Sequence, residues 1–139
     1  MREYIAEVVP EHLYQRGNFL AWPWQRKRSF LEKYRITVVV NLWGKVDSDL
    51  EGMKYIVWPL RSDDDPGGVD GLLTLLHGLL DAGERLLIHC EAGVNRSVWL
   101  CGKLLRRWQG LTGKQAADRL AATVQRAKIN PRLLRDLYQ

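Results

Sequence analysis

The sequence is poor in sulfur and holds no long apolar run. Of its 139 residues only two are cysteine, Cys90 and Cys101. Two is too few for a disulfide-stapled secreted scaffold, and neither sits in a metal-type CxxC pair. No apolar stretch approaches the roughly 20 residues of a membrane span. The opening residues Met1-Arg2-Glu3-Tyr4 bring an acid early and lack an apolar signal core. There is no low-complexity tract and no internal repeat. The formal charge of +5 is spread along the chain, with only Arg26-Lys27-Arg28 and Arg106-Arg107 as small clusters. Without a basic run there is little case for a nucleic-acid stripe, and the charge serves solubility or an anionic partner. These absences predict a cytoplasmic, reducing setting, which would also preserve a reactive thiol.

What is present is an ordinary globular composition. Hydrophobic residues make up 46% of the chain, enough for one core. The expectation is a single domain over residues 1–139, acting as a monomer.

The apolar pattern alternates between strands and helices. Ile5–Val9 reads as a short edge strand, and Leu13-Tyr14 begins a second. Pro23 suits the first turn of a helix, which predicts a helix from Trp24 to about Tyr34. Ile36–Leu42 is β-branched and nearly all apolar, the pattern of a strand buried on both faces. Lys54–Trp58 reads the same way and is stopped by Pro59. Leu72, Leu73, Leu75, Leu76, Leu79 and Leu80 recur at helical spacing, and Gly83 ends that helix. Arg85–His89 is a third buried strand. Ser97 opens a helix to about Trp108. Thr112 caps another running to about Ala127, and Pro131 starts a last short one to Leu137. This order predicts an α/β fold with a central, mainly parallel sheet flanked by helices. Ligands of such sheets sit at the carboxyl ends of the strands.

One segment carries chemistry at such a strand end: His89-Cys90-Glu91-Ala92-Gly93-Val94-Asn95-Arg96-Ser97. A cysteine leaves the strand, and a short loop enters a helix N-terminus, where free N–H groups and the helix dipole favour an anion. Gly93 permits a tight backbone path. Arg96 supplies a planar fork suited to two phosphate oxygens. Surroundings that hold an anion also favour the thiolate, the nucleophilic form of cysteine. Taken singly, Cys90 reads as a small buried hydrophobe and Arg96 as a surface charge. Spacing and context together make them a nucleophile facing a bound phosphate.

His89-Cys90, five residues and Arg96-Ser97 resemble the HCx5R signature, followed by Ser or Thr, of cysteine-dependent protein tyrosine and dual-specificity phosphatases. The resemblance extends to Leu13-Tyr14 with Gly17, to Val40-Asn41-Leu42 and to the tail Arg126–Pro131. It implies a compact dual-specificity phosphatase-like domain that hydrolyses phosphomonoesters through a cysteinyl-phosphate intermediate, with no cofactor and no metal. By resemblance, Cys90 is the nucleophile. Arg96 and the loop Glu91, Ala92, Gly93, Val94 and Asn95 hold the phosphate. Ser97 bonds the sulfur and eases breakdown of the intermediate, and His89 supports the loop from behind.

The family also uses an Asp on a loop upstream to protonate the leaving oxygen. Here Arg61-Ser62-Asp63-Asp64-Asp65-Pro66 offers three acids; Asp63 is preferred, then Asp65, then Asp64. Adjacent carboxylates raise one another's pKa, which would help keep one protonated. The expected substrate is a phosphorylated protein, with phosphotyrosine first and phosphoserine or phosphothreonine second. The same chemistry on an RNA 5′ phosphate or a phosphoinositide is the alternative. Asn95 keeps the RNA option open, while an acid and no lysine in the loop weigh against a highly charged lipid headgroup. Asn41 either bonds behind the loop or simply ends its strand. Trp43 and Lys45 are candidates for the mouth of the site. Cys101 is an inert core thiol or a redox partner of Cys90, the former preferred.

Overall fold

The computed structural model describes residues 4–45, 50–60 and 65–139. Among the described residues, five strands form one sheet: β1 (Ala6–Val9), β2 (Leu13–Arg16), β3 (Val38–Asn41), β4 (Lys54–Val57) and β5 (Leu86–His89). Their order is β1-β2-β5-β3-β4, with β1 antiparallel to β2 and the remaining neighbours parallel. Five helices among the described residues cover it: α1 (Trp24–Lys33), α2 (Asp70–Asp81), α3 (Arg96–Gln109), α4 (Gly113–Thr123) and α5 (Pro131–Tyr138). The α/β architecture expected from the alternation is therefore present.

Strand β5 lies in the middle. Leu86 is in register with Leu13 of β2 on one side and Val38 of β3 on the other. Every residue of these three strands is buried. Successive side chains point to opposite faces. Leu13, Val38, Val40, Leu86 and Ile88 join the core under α2 to α5. Tyr14, Val39 and Leu87 join Phe19, Phe30 and Leu31 under α1. The same parity sends Gln15 toward α3 and His89 toward α1.

Two expectations need correction. β4 is not buried on both faces; it is the outer strand, bonded only to β3, and Val57 is 41% exposed. Its apolar residues still divide between the two cores, Ile56 to one and Tyr55 to the other. Helix α4 starts at its Thr112–Gln115 capping box but stops at Thr123, well before Ala127. Val124 turns extended and is buried in the core, which frees the following residues to cross toward the β5–α3 loop. In α2, Leu72, Leu73, Leu76 and Leu80 are buried, whereas Leu75 is 44% exposed on the outer side. Gly83 ends that helix as expected. Its φ of +87° lets its N–H reach Leu80 and the Glu84 N–H reach Leu79.

Candidate active site

The site forms where β5 hands the chain to α3. Cys90 is the first residue past the strand, residues 91–95 curl, and Arg96 begins the helix. Sequence and structure agree on this strand–loop–helix path. Cys90 is 3% exposed and its Sγ lies 3.1 Å from Ser97 Oγ. Arg96 is buried at the head of α3, and Ser97 is wholly buried.

The loop is held in its curl from outside. Asn18 donates from both its backbone N–H and its Nδ2 to the carbonyl of Glu91, at 3.0 and 2.9 Å. Gln15 Nε2 donates to the carbonyl of Gly93 at 2.7 Å, and the Lys128 N–H to that of Val94 at 2.7 Å. The N–H of Asn130 donates to Asn95 Oδ1 at 2.7 Å. The carbonyls of Glu91, Gly93 and Val94 are thus engaged by neighbouring segments. Among the described residues, no acceptor meets the backbone N–H of Glu91, Ala92, Gly93 or Val94. Such a run of donors beside a helix N-terminus is an anion nest.

Two glycines interlock to permit this. Gly93 has φ +75°, and a Cβ there would stand 2.3 Å from the backbone N of Gly17. A Cβ on Gly17 would stand 2.9 Å from the carbonyl O of Ala92. Neither approach leaves room for a side chain.

His89 faces the other side of the sheet. It is wholly buried, its Nδ1 lies 3.3 Å from the carbonyl O of Cys90, and its ring packs edge-on against Phe19 at 5.3 Å. The contact is with the backbone behind the loop.

Of the three candidate acids, Asp63 and Asp64 lie outside the described residues. Asp65 is half-buried, and its Oδ1 accepts from the Gly67 N–H at 2.8 Å. It lines a cavity of about 320 Å³ with Trp58, Pro59, Leu60, Gly67 and Gly68, beyond the end of β4. Asn41 ends its strand: Nδ2 donates to the Lys45 carbonyl at 2.6 Å and Oδ1 accepts from the Trp43 N–H at 2.8 Å. Lys45 Nζ lies over the Trp43 ring at 4.9 Å. Arg126 is exposed. Cys101 is a free thiol with no exposure, and burial, followed by the neighbouring Cys90, pushes its pKa up.

Gln15 and Asn18 were missed by the sequence reading. A signal existed for the first. Gln15 shares strand parity with the core residue Leu13, so a polar amide there had to face inward and find partners.

No family model matches the sequence. In three dimensions the chain has the fold of the dual-specificity phosphatases. Human DUSP28 superposes with a TM-score of 0.77 at 20% identity, over 99% of this chain and 92% of that one. Human tyrosine phosphatase-like serine/threonine/tyrosine-interacting protein gives 0.79 at 18% identity, over 98% and 94%. PTPMT1 in complex with PI(5)P gives 0.81 at 12% identity, over 98% and 93%. At these identities the likeness establishes the fold.

Proposed function

We propose that this chain is a cysteine-dependent phosphatase acting on phosphomonoesters, with phosphotyrosine in proteins as its first substrate and phosphoserine or phosphothreonine as its second. The observation that carries the reading is the position of the Cys90 sulfur at the base of a loop in which, among the described residues, the N–H groups of Glu91 to Val94 meet no acceptor, at the head of the helix that Arg96 opens. One of the similar structures bears a phosphatase-like name, so the fold alone is not the argument. The thiol, the guanidinium and the amides are.

The chemistry has two steps. Cys90 thiolate attacks phosphorus in line with the ester oxygen. An S–P bond forms, the P–O ester bond breaks, and the departing oxygen takes a proton from an acid, proposed as Asp63 with Asp65 next. Water then attacks phosphorus and gives up a proton to the same carboxylate. The S–P bond breaks, releasing inorganic phosphate and restoring the thiolate. In both steps Arg96 and the loop amides hold the equatorial oxygens, where charge accumulates in the transition state. Ser97 steadies the sulfur as it leaves.

Glu91 is exposed at the rim. A carboxylate there repels a multiply charged headgroup, which favours the protein substrate over a phosphoinositide such as the one bound to PTPMT1. The test compares turnover of a phosphotyrosine peptide, a phosphothreonine peptide, a phosphoinositide and 5′-triphosphorylated RNA. Phosphotyrosine should lead, and Cys90→Ser should lower the rate by roughly 10³-fold or more while the variant still binds phosphate. Turnover that survives Cys90→Ser would end the nucleophile assignment. A lead for lipid or RNA would replace the substrate class and leave the chemistry standing.

A further inference from the structure

We infer that Gln15 is a positioning residue that leaves the Ser97 hydroxyl hydrogen free to donate to the Cys90 sulfur. The inference rests on the reading of Cys90 as nucleophile.

The 3.1 Å contact between Cys90 Sγ and Ser97 Oγ does not by itself say which atom donates. Gln15 decides it. Its Nε2 lies 2.8 Å from Ser97 Oγ and 2.7 Å from the carbonyl O of Gly93. A carbonyl only accepts, so the atom facing it is the amide nitrogen, and its two hydrogens serve the two contacts. Flipping the amide would set Oε1 against the Gly93 carbonyl. Ser97 Oγ therefore receives a hydrogen from Gln15. Among the described residues its only other partner is the Cys90 sulfur, and the hydroxyl has one hydrogen of its own to place. That hydrogen goes to sulfur.

The arrangement comes with a cost in the same side chain. Gln15 is wholly buried, and its Oε1 has no partner among the described residues. A buried acceptor left unpaired is unfavourable, and such groups in native structures call for an explanation. Here the explanation is that both amide hydrogens are committed to the loop. A hydroxyl held as donor stabilises the sulfur when it is negative: before attack, and again when it leaves phosphorus. The same amide anchors Gly93, so one side chain on β2 couples loop shape to thiolate stability.

The test reads the thiol and not turnover. The rate of Cys90 alkylation by iodoacetamide is measured at about pH 6 and about pH 10, where the thiolate is respectively scarce and abundant for an ordinary cysteine. Gln15→Leu, Ser97→Ala and the double variant are compared. Gln15→Leu should slow alkylation at the lower pH by about threefold to tenfold and leave it unchanged at the higher. Ser97→Ala should do the same, and the double variant should be no slower than Ser97→Ala alone. A loop that merely loosened would react faster at both pH values, and that result overturns the proposal. So do equal rates in Gln15→Leu and wild type, or losses that add in the double variant. If Gln15→Leu does not fold, Gln15→Asn, one methylene shorter and still polar, is read in the same way. Because alkylation needs no substrate, failure of the phosphatase reading, seen as turnover surviving Cys90→Ser, is separate from failure here.

Discussion

Cys90 and Cys101 stand in the same part of the molecule, Cys101 roughly one and a half turns into the helix that Cys90 leads to. Both are nearly shut off from solvent, at 3% and 0% exposure. Their surroundings are otherwise opposite. Cys90 has the Ser97 hydroxyl at 3.1 Å, the N-terminus of α3 and the Glu91–Val94 amides, which meet no acceptor among the described residues. Cys101 sits within the core of Val98, Leu104 and Leu105, where burial penalises a charged sulfur and the charge of Cys90 adds to the penalty. Accessibility therefore does not separate the two thiols. What separates them is whether donors surround the place where negative charge would form.

Four outcomes break or sharpen that contrast. The largest concerns serine at both positions. Cys90→Ser should lower turnover by roughly 10³-fold or more, whereas Cys101→Ser should keep kcat within about twofold and lower stability by ~1–3 kcal/mol, because a hydroxyl is buried without a partner. A thermal melt beside a rate assay reads both, and equal loss of activity in the two variants would erase the distinction. Next, Arg96→Lys replaces a two-pronged donor by a point charge. The rate should fall by about 10²–10³-fold with the fold intact; a fall of less than about tenfold would mean that the amides alone hold the phosphate. Third, Asp63→Asn should slow substrates with poor leaving groups by about tenfold to a hundredfold and spare activated aryl esters. If Asp65→Asn shows that pattern instead, the proton comes from the residue that lines the cavity with Trp58. The smallest effect is a control far from either sulfur. Hydrogen bonds from Lys54 and Thr37 hold the Glu84 carboxyl below its usual pKa. A group depressed in the folded state stabilises it above the unfolded value and loses that contribution as pH falls through the folded value. Acid should therefore destabilise the wild type slightly more than Glu84→Gln, as denaturant titrations between about pH 5 and pH 3 would measure.

The loop was legible because its chemistry is contiguous. Strand end, cysteine, glycine, arginine and serine follow one another in a few residues, and local backbone rules turn that order into a curl at a helix head. The buried strands were legible for a similar reason, since runs such as Val38-Val39-Val40 and Leu86-Leu87-Ile88 need cover on both faces. β4 was misread because composition does not give strand order: an apolar strand looks alike at the centre and at the edge. The end of α4 was misread because helical propensity does not know that residues 128–130 are wanted at the loop.

By itself the sequence determined the helix–strand alternation, the mainly parallel sheet and the make-up of the loop between Cys90 and Arg96, all of which follow from periodicity or from neighbours in the chain. Only the tertiary structure decided how that loop is held. Gln15 reaches Ser97 across a separation of 82 residues, and Asn130 reaches Asn95 across 35. Contacts of that kind depend on which strands become neighbours and which face each side chain takes, and only the packing of the whole chain sets them.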